Sequence, residues 1–158
     1  MENVEIRRAE RTDIPKIISL AVESVEESRS PFRDTTLEAL KQFRAKDLEQ
    51  LHSLFGQPQL GLFVAVLGDK VVGHVIVLTG SFESLSTEEQ GWIIDLSIKS
   101  EYRKKGIGKA LSNEAESFIK GKGLKYIGLG VTSANTSAVK FYESLGYSEE
   151  RKRMIKVL

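Results

Sequence analysis

With 158 residues, 41% of them hydrophobic, and 23 Lys and Arg against 22 Asp and Glu, the chain is expected to form one domain, residues 1–158, of net charge +1. So balanced a charge creates no overall field toward nucleic acid or an anionic membrane, and no apolar run approaches the ~20 residues that span a bilayer. The absence of cysteine excludes disulfides, thiolate metal sites and a cysteine nucleophile, while His52 and His74 lack partners at metal-ligand spacing.

The polar start "MENVEIRRAERTD" has no apolar core of a signal peptide, and a cytoplasmic location is the expectation. Val4 to Arg8 alternates as a strand does, and Thr12 or Asp13 then caps a helix that tolerates Pro15 in its first turn. Ile14, Ile17, Ile18, Ala21 and Val25 recur at helical spacing and give that helix one buried face. Thr35 or Thr36 opens a second helix carrying Leu37, Leu40, Leu48 and Leu51, which "FGQPQLG" ends. The stretch "LFVAVLGDKVVGHVIVLTG" reads as two strands joined at "LGDK", where Gly68 supplies the positive φ of a tight turn. Within it, His74 reads as a satisfied strand histidine.

A third strand of this group is "GWIIDLSI", followed by a helix over 106–121, a strand over 125–131 and a helix "NTSAVKFYESLG" that Gly146 terminates. "EERKRMIKVL" is expected to add a final strand. The order β-α-α-β-β-β-α-β-α-β predicts an α/β (α+β) domain with a mixed sheet whose fourth and fifth strands run parallel, joined by a right-handed crossover. In such units ligands sit at the carboxyl ends of the strands and the amino end of the helix.

That location holds "EYRKKGIGKAL", Glu101 to Leu111. A helix N-terminus offers unpartnered amides and partial positive charge, and Gly106 and Gly108 lack the Cβ atoms that would block a close approach. Arg103, Lys104, Lys105 and Lys109 add charge, so the turn suits a phosphate or pyrophosphate; a solvated basic loop remains the other reading of the turn alone. The spacing is neither that of a Walker loop nor of a dinucleotide fingerprint, and no aromatic residues interleave with the charges to suggest nucleic-acid binding.

Together, Leu96-x-Ile98, Arg103-x-x-Gly106-x-Gly108 and the run Asn135, Ala138, Phe141, Tyr142, Gly146 and Tyr147 resemble the two central motifs of the GNAT superfamily of acetyl-CoA-dependent N-acetyltransferases. The match is firm from about Val71 to Tyr147, with Ser100 where many relatives have proline. The resemblance implies a GNAT-like sheet with splayed fourth and fifth strands and acetyl-CoA as cofactor. The pyrophosphate would lie on the amides from Arg103 through Lys104, Lys105, Gly106, Ile107 and Gly108 to Lys109. The pantetheine arm would lie along Leu96, Ser97 and Ile98, with a main-chain oxyanion site near Ile98.

Asn135 then lies near the pantetheine, a role compatible with a plain helix cap. Tyr142 is the implied acid for the departing thiolate; its i, i+3, i+4, i+7 relation to Ala138, Phe141 and Leu145 also fits a buried stripe. Around "IIDLSIKSEYR" the chain is similar to spermidine/spermine N-acetyltransferases, which have a Glu-Asp pair where it has Ile94-Asp95. Asp95 either orients a cationic amine, accepts its proton through water, or is a solvent-facing strand charge. Glu23, Glu26 and Glu27 could attract a basic acceptor or form a solvated face.

The expected activity is acetyl transfer to a small-molecule or peptide amine in a ternary complex, without metal, nucleic acid or membrane. The alternative is an acyl-CoA-binding sensor without turnover. A homodimer is an expectation from family habit.

Overall fold

The computed structural model describes residues 3–158. Five strands form one sheet in the order β1-β2-β3-β4-β5: β1 (Glu5–Arg8), β2 (Leu60–Leu67), β3 (Lys70–Phe82), β4 (Glu89–Ile98) and β5 (Ile127–Leu129). The first three junctions are antiparallel and the last is parallel, as the crossover through the helix after β4 requires.

The helices are α1 (Ile14–Ser24), α2 (Leu37–Leu48), the single turn α3 (Leu51–Leu54), α4 (Ile107–Gly121) and α5 (Thr136–Ser144). The Thr36 hydroxyl accepts from the Ala39 amide and starts α2. Asp13 precedes α1, but its carboxylate accepts from the Glu10 amide and pairs with Arg7 rather than capping that helix. The second helix expected from the sequence is broken between Leu48 and Leu51 into α2 and α3.

Sheet and helices stack in three layers, which explains why "LFVAV" is apolar throughout instead of alternating: both faces of β2 are covered. On one face Ile14, Ile17 and Ala21 of α1, with Leu48 and Leu51, pack on Leu62, Val64, Val71 and Ile76. On the other, Ile107, Leu111, Ala115 and Ile119 of α4 pack on Phe63, Ala65, Val72, Val75, Val77 and Ile93. Among the described residues no helix is long and apolar enough to cross a membrane.

Two irregularities shape one end of the molecule. Ile76 pairs with Asp95 while Val77 pairs with Ile93, so Ile94 is the extra residue of a bulge in β4. The β4–β5 ladder covers only Gly91 to Ile93 against Ile127 to Leu129, and β4 then runs on to Ile98 with nothing from β5 beside it. The strands thus part just beyond the bulge. This is the splay expected of the fourth and fifth strands.

One expected element is absent. Residues 148–158 carry no regular secondary structure, and β5 closes the sheet instead of a sixth strand. The apolar residues of "MIKVL" suit a strand, but a strand needs a partner ladder and a surface to pack on. Here Met154 is 91% exposed and Val157 81%, and Arg151 pairing with Glu83 at 2.5 Å is the segment's tie to the sheet.

Candidate active site

The turn between β4 and α4 places its main chain as a phosphate cradle would be placed. Lys104 and Gly106 have φ of 60° and 82°, the left-handed region, and Gly106 is the N-cap of α4. Arg103 N donates to Ser100 O at 3.3 Å and the first helical bond runs from Ala110 N to Gly106 O at 3.0 Å. Between them, among the described residues, the amides of Lys104, Lys105, Gly106, Ile107, Gly108 and Lys109 have no protein acceptor. The open run therefore begins at Lys104 and not at Arg103, one residue later than expected.

The two glycines serve different ends. A Cβ at Gly106 would meet nothing within 4 Å, so its positive φ is what requires glycine. Gly108 is buried, and a Cβ there would lie 3.0 Å from Phe141 Cζ and 3.1 Å from Ile98 Cδ1. Its place in the motif is a packing requirement between α4, β4 and α5, not a clearance for ligand. Ile107 is likewise a core residue, whereas Lys104, Lys105 and Lys109 are exposed, with Lys105 Nζ 5.3 Å from the centre of the Tyr102 ring.

Arg103 turns away from the cradle. Its Nε donates to Ile98 O at 2.9 Å and its Nη1 to Glu27 Oε1 at 2.7 Å. Ser28, next in chain, offers its carbonyl to Thr132 Oγ1 at 2.7 Å. The turn Val25–Ser28 after α1 thus touches both the β4–α4 loop and the loop beyond β5. Glu27, read from sequence as a solvated or acceptor-attracting carboxylate, is a partner of Arg103.

On the free part of β4, Leu96 and Ile98 send side chains into the core beneath α4, while Asp95 and Ser97 point to the α1 and α2 face. Asp95 receives three hydrogen bonds. Arg44 Nη2 donates to Oδ1 at 2.9 Å; on Oδ2, Ser97 Oγ donates at 2.8 Å and His74 Nε2 lies at 2.5 Å. Burial alone would raise this carboxyl, but the His74 hydrogen bond, the nearby positive charge and the Ser97 hydroxyl outweigh it and hold Asp95 down to about 2. Its side chain is mostly covered rather than solvent-facing.

Asn135 caps α5, its Oδ1 accepting from Ala138 N at 3.2 Å. The Tyr142 ring packs edge-on against Tyr147, centroids 5.6 Å apart, and against Phe141 at 5.1 Å. No residue of α5 is fully buried, so the apolar stripe of that helix is a half-open wall. Burial, then the charge of Asp95, then Tyr147, push the Tyr142 phenol well above the ordinary tyrosine range. Asp95 and Tyr142, 47 positions apart in sequence, are electrostatic neighbours across the splay.

Trp92 lies over Gly128 of β5, where a Cβ would come within 2.8 Å of its ring. Three participants escaped sequence reading: Arg44, His74 and the Ser97 side chain. Arg44 is 51 residues from Asp95 and His74 is 21, so no spacing pattern joins them.

The comparisons with known proteins agree with this geometry. The model of the acetyltransferase (GNAT) family matches residues 17–147. The chain is similar to N-acetylaspartate synthetase of Xenopus tropicalis, with 38% identity over 101 residues covering 64% of this chain and 35% of that one. Curated relatives at 31 to 38% identity are longer, and this chain spans 32 to 40% of their length. A putative acetyl transferase from Pyrococcus furiosus superposes with a TM-score of 0.80 at 29% identity, covering 99% of this chain and 100% of that one. The PaiA N-acetyltransferase of Thermoplasma acidophilum, solved in complex with coenzyme A, has the same fold, with a TM-score of 0.80 at 23% identity over 96% of this chain and 93% of that one. With the family model covering four of the five strands, β2 to β5, together with the amide cradle and α5, the chain belongs to the acetyltransferase (GNAT) family, whose cofactor is acetyl-CoA.

Proposed function

We propose that this protein transfers the acetyl group of acetyl-CoA directly to a primary amine of a small molecule or polypeptide. The observation that carries the reading is the run of open amides from Lys104 to Lys109, which follows the part of β4 that pairs with β3 but not with β5 and carries Asp95 near Tyr142. These groups fit the cofactor: consecutive N–H donors at a helix start suit a diphosphate, and exposed Lys104, Lys105 and Lys109 add charge. The edge of β4 beyond its β5 ladder, whose end carbonyls at Ile94 and Ile98 accept from Arg44 and Arg103, suits an amide-containing arm. When bound, acetyl-CoA supplies an activated thioester.

The chain's own groups divide the remaining work. Main-chain N–H near Ile98 can face a developing oxyanion. Tyr142, whose phenol is held above its ordinary range, remains protonated at neutral pH and serves as the donor to a leaving thiolate. Asp95, held at about 2, stays ionised and orients the acceptor nitrogen rather than taking its proton, which leaves through water. With no cysteine in the chain, a cysteinyl intermediate is excluded, and direct attack in a ternary complex is the economical route.

The test is to follow free thiol while the protein is incubated with acetyl-CoA and spermidine, L-aspartate or a peptide with a free N-terminus. L-aspartate is included because one relative is named N-acetylaspartate synthetase. Thiol release dependent on amine supports the reading. Thermal stabilisation by coenzyme A without release would instead indicate a sensor, and neither effect would refute cofactor binding altogether.

A further inference from the structure

We propose that His74 of β3 and Arg44 of α2 are positioning residues: together they clamp Asp95 as a fixed anion with one open lone pair aimed at the acceptor amine. The inference rests on the acetyl-transfer reading above and assigns to that site two residues outside the family's motifs.

An ionised carboxylate has about four acceptor positions. Arg44 Nη2 takes one on Oδ1, and His74 Nε2 with Ser97 Oγ takes both on Oδ2. One position on Oδ1 is left. Arg44 also reaches Ile94 O at 3.3 Å, so a single guanidinium spans the bulge carbonyl and the carboxylate and fixes their relative placement.

His74 is fully buried, opposite Val64 on one side and Ser97 on the other, in the middle of the sheet. Among the described residues its Nδ1 has no partner. A buried polar atom without a partner costs stability, and a side chain placed there for packing alone would do better as an aliphatic one. What offsets the cost is the contact from Nε2 to Asp95. Nε2 is the ring atom placed to donate to the carboxylate. Arg44 reaches the other carboxylate oxygen from α2 and is itself braced by Asp47 at 3.6 Å. The groups that act on the Asp95 charge are thus His74 on β3, Arg44 with Asp47 behind it on α2, Ser97 on β4 and Tyr142 on α5.

The experiment compares His74→Met, which keeps bulk and removes the donor, with His74→Gln, whose amide can replace Nε2. Losing one hydrogen bond to a charged group should raise the acceptor KM about tenfold in His74→Met, while His74→Gln stays within about threefold of the parent. Stabilisation by coenzyme A should be equal in all three. Carbon NMR of aspartate-labelled protein supplies a readout independent of turnover: the Asp95 carboxyl should titrate about one unit or more higher in His74→Met, with His74→Gln restoring it. If His74→Met fails to fold, Arg44→Met and Arg44→Gln are measured in the same way, since Arg44 is partly exposed.

An acceptor KM that His74→Met leaves unmoved in folded protein, or equal losses in the Met and Gln variants, would overturn the proposal. If none of spermidine, L-aspartate or the free-N-terminus peptide is acetylated, the acetyl-transfer reading fails while the carboxyl titration still decides whether Asp95 is clamped.

Discussion

Tyr142 shows how a residue legible as part of a motif acquires its chemistry only from its surroundings. The sequence allows it to be either the acid or one member of a buried stripe; its ring stands in the half-open α5 wall near the Asp95 charge, where the proposed acid role requires it. Tyr142→Phe should lower kcat about a hundredfold, in the range of a lost general acid, while leaving coenzyme A affinity unchanged. The sign of the phenol shift adds a second expectation. A raised tyrosine keeps its proton to higher pH than the reference value of about 10, so kcat should show no loss from Tyr142 ionisation up to that pH. A pH–rate profile of both proteins checks this, and an alkaline loss near pH 9 that the Phe variant lacks would contradict it.

At the scale of elements, the start of α4 decides the site, and its two glycines are not interchangeable. Gly106 sits at φ 82° in open space, so Gly106→Ala places a Cβ in the left-handed region at a cost of about 1–2 kcal/mol without a clash. Its effect should fall on coenzyme A affinity, since the open amides turn at that residue. Gly108→Ala would press on Phe141, the neighbour of Tyr142 in α5, from 3.0 Å. Its effect should fall on kcat more than on the cofactor KM, and steady-state kinetics of the pair would show the split. Identical patterns in the two variants would mean that the glycines share one role after all. From spacing alone both glycines read as clearance for phosphate, because a Gly-x-Gly pattern carries no information about what its missing Cβ atoms face.

For the whole molecule, two carboxylates tie stability to acid. Burial opposes the charge on Asp13, yet the Arg7 side chain and the Glu10 amide hold that carboxyl below its ordinary range. Asp95 is held at about 2 against a reference of 3.8. A group with a depressed folded pKa stabilises fully above its unfolded value and loses that contribution as pH falls through the folded one. The fold should therefore lose stability between about pH 4 and pH 2, with about 2 kcal/mol of the loss due to Asp95. Urea midpoints measured across this window check it, and Arg44→Met should flatten the slope. A midpoint independent of pH there would count against both pairings.

The order of elements up to Tyr147, the parallel crossover and the position of the phosphate-suited turn were all legible in the chain. Each rests on local patterns: helical spacing in α1 and α4, apolar runs in β2 and β3, and a glycine turn at a helix start. The final strand was not, because apolar residues in "MIKVL" describe a segment able to pair and say nothing of whether a partner edge is offered. His74 and Arg44 were not either. A residue's neighbours in sequence set its backbone conformation, but hydrogen bonds across 21 and 51 positions exist only once a bulge at Ile94 and the packing of α2 bring the groups together. The sequence alone determined where the glycine turn opens its helix; the tertiary structure decided which donors surround Asp95 and keep it charged, since ionisation depends on the dielectric and donors that folding assembles.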